Sequence, residues 1–147
     1  MDDTLLAAYR AAEYRVRLRE GGWAVIRIDQ PLPAALASLI GPRPWGFITA
    51  WNPFSQPRAR ELNRKTQRRL LTVLQGLPET RAIHAGLGVG ADWREESLLV
   101  VGPDAATLDA VARTFEQNAY VYGHANDIAA ALRHMDKPGS HCGQSQE

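Results

Sequence analysis

The sequence predicts an α+β fold, a ferredoxin-like β-α-β-β-α-β core with an antiparallel sheet plus an N-terminal helix and strand extension. Three observations carry this expectation. Between residues 45 and 124 the apolar segments alternate in length and period as strand, helix, strand, strand, helix, strand. Proline and glycine punctuate nearly every junction, as at Gly41-Pro42, Asn52-Pro53, Gly76-Leu77-Pro78 and Gly102-Pro103. Ser97-Leu98-Leu99-Val100-Val101 is a continuous apolar run, as expected of a central strand covered on both faces.

Taken in order, Asp2 or Asp3 can cap a first helix carrying Leu5, Leu6, Tyr9, Ala12 and Val16 at helical spacing, ended by Gly21-Gly22. Residues 23–28 follow as a short strand, and Pro31-Leu32-Pro33 opens a helical turn over 34–40. Residues 45–51 read as an aromatic-rich strand. Residues 57–75 read as a helix with Leu62, Leu70, Val73 and Leu74 on one side, capped at Gly76. A strand over 80–87 leads into a glycine-rich loop at 86–92, then the apolar strand. Pro103-Asp104 starts a helix to about 117 with Leu108, Val111, Ala112 and Phe115 inward. A last strand over 119–124 and a final helix over 127–135 complete one domain, residues 1–136, followed by a flexible tail at 137–147. Right-handed crossovers suggest that the first and third core strands are central, parallel neighbours, with the fourth antiparallel beside the first.

Composition narrows the function classes. The chain has 147 residues, 45% hydrophobic and 22% charged, enough for one packed core. Seventeen basic residues against 16 acidic leave a net charge of +1, so no global field argues for nucleic acid or an anionic membrane. The N-terminus lacks a basic start and long apolar stretch, and no run approaches the roughly 18 apolar residues of a membrane span. The single cysteine, Cys142, allows no internal disulfide. The cytoplasm is the expected setting. His134, His141 and Cys142 fall short of the four organised ligands that zinc normally takes, and no metal or cofactor is expected.

Several residues invite chemistry. Gly86-Leu87-Gly88-Val89-Gly90 lacks the helix that a phosphate-binding loop needs after its glycines and reads as a hairpin connection. Arg60, Arg64 and Arg68 stand four apart and form one basic stripe, a candidate nucleic-acid contact set against a solvated helix face. Trp45, Phe47, Thr49 and Trp51 share a strand face, as do Tyr120, Tyr122 and His124. If the strands are neighbours the two rows could form one aromatic face, covered by the first 40 residues or by a second subunit. Glu95 and Glu96 precede a buried strand, where desolvation of one of them would raise its pKa as acid/base work requires. Asn52, Gln117 and Asn118 are amides at strand ends, suited to orienting a ligand or closing turns.

Four segments in order, Ile48-Thr49-Ala50-Trp51-Asn52-Pro53, Glu61-Leu62-Asn63, Trp93-Arg94-Glu95-Glu96-Ser97 and Phe115-Glu116-Gln117-Asn118-Ala119, resemble the landmarks of the bacterial domain-of-unknown-function family 3293. The resemblance spans about residues 45–122. It implies a small bacterial protein without an established activity, and makes Thr49, Asn52, Asn63, Glu96, Ser97 and Gln117 the ligand-binding candidates. With parallel central strands, Asn52 and Gln117 fall at one end of the sheet and Glu96 and Ser97 at the other, beside Arg43 and His124. The leading expectation is a non-enzymatic binding or protein-interaction module, with a homodimer through the aromatic sheet face as one form. The alternatives are a small enzyme or small-molecule or nucleotide binder using Glu96 with Asn52 or Gln117, and a nucleic-acid binder using the arginine stripe.

Overall fold

Local chemistry sets the elements. The computed structural model describes residues 2–125 and 130–135. Asp2 accepts a hydrogen bond from the Leu5 amide and starts α1 (Asp3–Ala11), after which the chain extends at once into β1 (Glu13–Arg17) and β2 (Trp23–Ile26). Next come α2 (Ala34–Ile40), β3 (Pro44–Ile48), a tight turn at Pro53–Ser55 and α3 (Arg60–Gln75). The hairpin β4 (Ala82–Val89) and β5 (Arg94–Val101) leads to α4 (Ala105–Thr114), whose N-cap Asp104 accepts from the Thr107 amide. β6 (Ala119–His124) and β7 (Ala131–His134) finish the described chain. None of its helices is long and apolar enough to cross a membrane.

All seven strands form one antiparallel sheet in the order β2-β1-β4-β5-β3-β6-β7. The sheet curls until its edges meet, where Ile28 bridges Ala130, so the edge groups are partly paired. The concave side holds Tyr14 and Val16 of β1, Ile26 of β2, Leu36 and Ile40 of α2, Trp45 and Phe47 of β3, and Leu99 and Val101 of β5. The convex side packs Ile48, Val100 and Tyr120 against Leu70 and Leu74 of α3 and Leu108, Val111 and Ala112 of α4.

Several expectations change. The central strands β3 and β5 are antiparallel, with Trp45 opposite Val101 and Ile48 opposite Leu98. The crossover through α3 aligns β4 with β3 at a distance; the tight hairpin then reverses the chain, so the strand inserted between them must oppose both. The first helix stops at Ala11. Tyr14 and Val16 alternate inward between Arg15 and Arg17, and this period of two outweighs the helical spacing read through Val16. β3 ends at Ile48 rather than at Trp51. Residues 131–134, expected to be helical, form β7; 127–129 and the tail at 137–147 lie outside the described residues.

The glycine-rich segment is mostly strand, because Gly86 and Gly88 belong to β4. Its glycines make room for rings: a Cβ at Gly86 would strike Phe47, and one at Gly90 would overlap the Trp93 indole. On α3 the buried side is Asn63, Gln67, Leu70 and Leu74, whereas Leu62 is 53% and Val73 40% exposed. The two aromatic rows lie on opposite faces. Phe47 pairs with Val121 and Gly46 with Tyr122, so Trp45 and Phe47 point into the curl while Tyr120 faces the helices. The chain's own first 40 residues cover Trp45 and Phe47, which closes that face to a second subunit.

Candidate functional site

Antiparallel pairing brings one set of strand ends together. The C-terminal ends of β3 and β4, the N-terminal ends of β1, β5 and β6, and the start of α3 share one end of the sheet. Glu96 and Ser97, expected at the far end, are therefore close to Thr49: its hydroxyl donates to the Glu96 carbonyl at 2.6 Å. Arg43 and His124 remain at the other end, where the Ala125 amide donates to the Arg43 carbonyl.

The segment after β3 is held in an unusual conformation. Asn52, Phe54 and Ser55 have φ of 46°, 54° and 61°, in the left-handed region that residues with a Cβ seldom adopt. Specific bonds hold it there. Asn52 and Asn63 pair reciprocally, with the Asn52 amide N–H donating to Asn63 Oδ1 at 2.8 Å and Asn63 Nδ2 donating to Asn52 Oδ1 at 2.7 Å. Arg58 Nε also donates to Asn63 Oδ1 at 2.9 Å, and the Phe54 amide donates to the Glu116 carbonyl at 2.6 Å. Gln117 lies below, its side-chain amide donating to the Trp51 carbonyl at 3.1 Å. Gln67 accepts from the Ala50 amide at 2.8 Å, while its own Nε2 is buried without a partner among the described residues. Two buried amides thus occupy the inward face of α3 where leucines would ordinarily stand, and they anchor the loop.

That loop forms one wall of a cleft of about 160 Å³ that also takes in Leu5, Ala8 and Tyr9 of α1, Trp93 and Glu95. Trp93 meets Tyr9 edge to face, ring centroids 6.4 Å apart. The Tyr9 hydroxyl lies 3.0 Å from Ser55 Oγ, which accepts from Asn118 Nδ2 at 2.8 Å. Tyr14 adds a second tie by donating to the Tyr9 carbonyl at 2.5 Å.

Alternation along β5 sorts its two acids. Glu95 shares the concave side with Ser97, Leu99 and Val101; Glu96 turns towards α3. Burial pushes the Glu95 carboxyl up to about 7, against a weak lowering by a 3.4 Å hydrogen bond from Asn52 Nδ2. No lysine or arginine among the described residues pairs with it. Burial likewise raises the Tyr9 and Tyr14 hydroxyls, so both stay protonated. Glu96 is 45% exposed and 3.5 Å from Arg64 Nε.

Of the residues expected at a site, Asn52 lines the cleft, and Asn63 holds Asn52 from behind. Thr49, Ser97 and Gln117 line a smaller, deeper recess that shares Tyr9, Trp93 and Glu95 with the cleft. Glu96 is outside both, and Arg60, Arg64 and Arg68 lie exposed on α3. Sequence reasoning did not find Tyr9 or Ser55. The only signal at Ser55 is its place in the Asn52-Pro53 turn, and Tyr9 reads simply as a helix-face aromatic.

The family model for a protein of unknown function (DUF3293) matches residues 48–120. The chain belongs to that family. No curated protein and no solved structure matches it. The DUF3293 segment supplies Asn52, Ser55, Trp93 and Glu95, while Tyr9 comes from α1, outside it. The family's function is not established.

Proposed function

We propose that the protein is a small-molecule-binding domain whose ligand occupies the cleft between α1 and the strained loop, with Glu95 as its proton-exchanging group. One observation carries this reading: a largely desolvated carboxyl with no counter-cation among the described residues opens into a concave site. The strained backbone at Asn52, Phe54 and Ser55 on the same wall supports it, since such strain persists where surrounding contacts enforce a function. Ligand binding is compatible with acid/base chemistry at Glu95, because a group titrating near neutrality can both give and take a proton. On this reading the acidic role belongs to Glu95 and not to Glu96. We read the unit from β3 to β6 as a ferredoxin-like core extended by β1, β2 and β7, working in the cytoplasm.

The test is an unbiased ligand screen by thermal shift on the wild type and on Trp93→Leu and Tyr9→Phe. A compound at about 100 times its Kd should stabilise the wild type by about 2.7 kcal/mol, a rise of several degrees in Tm. The rise should shrink in Trp93→Leu. Rises that persist unchanged in both variants would put the binding site elsewhere and refute the reading.

A further inference from the structure

We propose that the cleft takes a small organic ammonium ion, held between the Glu95 carboxylate and the Trp93 and Tyr9 rings. This rests on the small-molecule reading above and names the class of ligand.

The lining carries one sign of charge only. Among the described residues Glu95 is its sole acid, and no lysine or arginine lines it. The Asn52 amide reaches Glu95 Oε2, and no donor among the described residues bonds Oε1. A carboxylate taken out of water is costly unless a cation or several donors replace its hydration. An anionic ligand would meet repulsion here, and a neutral one would leave the charge uncompensated. An ammonium ion supplies the missing partner.

The aromatic walls fit the same occupant. Trp93 and Tyr9 meet edge to face, which forms a corner of two rings beside the carboxylate. A ring face attracts a cation within about 6 Å of its centroid, most strongly for tryptophan. The glycines hold the indole in place, since Gly88 and Gly90 admit it against the β4 backbone. At about 160 Å³ the space is smaller than a drug-sized pocket and suits an ammonium headgroup with a short substituent.

The groups facing Glu95 are Tyr9 from α1, Tyr14 from β1 and Asn52 from the loop, and neither tyrosine ionises near neutrality. Binding therefore competes with a single proton. A cation should displace that proton into solution, and should bind more weakly below pH 7 than above it.

The experiment is isothermal titration calorimetry of the full chain with choline, tetramethylammonium and propylammonium chlorides, at pH 6 and pH 8 and constant ionic strength. The controls are 3,3-dimethylbutan-1-ol, a neutral shape mimic of choline, and sodium butyrate. At least one cation is expected to bind about tenfold or more tighter than the alcohol at pH 8, and about tenfold weaker at pH 6. Glu95→Gln and Trp93→Leu should each lower its affinity by about tenfold, and the heat at pH 6.5 should vary with the buffer's ionisation enthalpy as a proton is released. Equal affinity for the cation and the alcohol, or cation binding unchanged by Glu95→Gln, would overturn the proposal. So would failure of every cation to bind. Butyrate or the alcohol binding at least as tightly as every cation, in a Trp93-dependent way, would overturn the cation and keep the cleft as a binding site. A screen with no Trp93-dependent ligand of any charge would overturn both.

Discussion

Two carboxylates on this fold meet burial in opposite ways. Asp109 of α4 is 9% exposed and accepts from Arg133 Nε at 2.6 Å and from the Tyr120 hydroxyl at 2.8 Å. Burial alone would raise its pKa, but the Arg133 and Tyr120 hydrogen bonds outweigh that and hold it below the usual aspartate value. Glu95 has the same burial problem, one long bond from Asn52 and no arginine partner among the described residues, so burial prevails and its carboxyl rises to about 7. Asp109 ties β7 onto the helix layer through a charged pair. Glu95 keeps an unsatisfied charge beside an open cleft, and that is the difference between a structural acid and one available to a ligand.

The largest effect expected from breaking the comparison is at Asp109. Asp109→Ala leaves Arg133 and the Tyr120 hydroxyl without their shared acceptor. Removing one partner of a buried pair costs about 3–5 kcal/mol, and the 40% exposure of Arg133 puts the loss near the lower end, about 3 kcal/mol. Urea denaturation at pH 7 measures it. A loss under about 1 kcal/mol would mean that the pair adds little to the attachment of β7.

At Glu95 the sign reverses. Its folded pKa lies above the ordinary 4.5, so the folded state binds more protons than the unfolded state between pH 4.5 and about 7. Stability should be unaffected below that window, fall as pH rises through it and stay reduced above. The interval corresponds to about 3 kcal/mol, which water in the open cleft reduces to about 2 kcal/mol. Glu95→Gln should remove this slope and be more stable than the wild type at pH 8 by about 2 kcal/mol. Asp109 has the opposite linkage: its contribution is present above the ordinary 3.8 and is lost as pH falls through its lower folded value. Urea midpoints from pH 3 to pH 8 separate the two. A wild-type profile flat between pH 5 and 8 would remove the basis for an elevated Glu95.

A smaller change should make Glu95 behave more like an ordinary acid. Gly90→Ala drives the indole of Trp93 away from the β4 backbone, admitting water to the carboxyl. The expected result is a Glu95 pKa lowered towards 4.5, with a stability loss of about 1 kcal/mol. Carboxyl carbon NMR titration reads the first and denaturation the second. An unchanged titration would show that the indole does not shield Glu95 from water.

What the sequence made legible follows from where its patterns are unambiguous. The helix at Asp104, the apolar strand through Val101 and the turn after Asn52 rest on caps, runs and prolines, which act locally. The direction of β5 relative to β3 depends on where the hairpin inserts, a long-range fact that no local pattern carries, and it alone puts Glu96 and Ser97 at the wrong end in the sequence reading. The face of the two acids was unreadable for a different reason. Ser97-Leu98-Leu99-Val100-Val101 is apolar on both sides, so alternation gives no clue as to which of Glu95 and Glu96 turns inward. Tyr9 reaches the cleft only because α1 stops at Ala11, before the alternating strand.

The mildest substitution tests that last point most directly. Glu96 and Glu95 are consecutive, yet the Glu96 side chain is 45% exposed and forms its ion pair with Arg64, itself 46% exposed, at 3.5 Å. Exposed pairs of this kind contribute about 0–1 kcal/mol, because water screens both charges and two long side chains must be ordered. Glu96→Gln should therefore change stability by no more than about 0.5 kcal/mol. It should leave the slope between pH 5 and 7 intact and the cleft's ligand affinity unaltered, in contrast to Glu95→Gln. Paired denaturation and calorimetry on the two variants make the comparison with everything but one position along the strand held constant. Equal losses of ligand affinity in both would mean that the acids act together across the β5 edge, and the division of the strand into a cleft side and a helix side would fail as an account of the site.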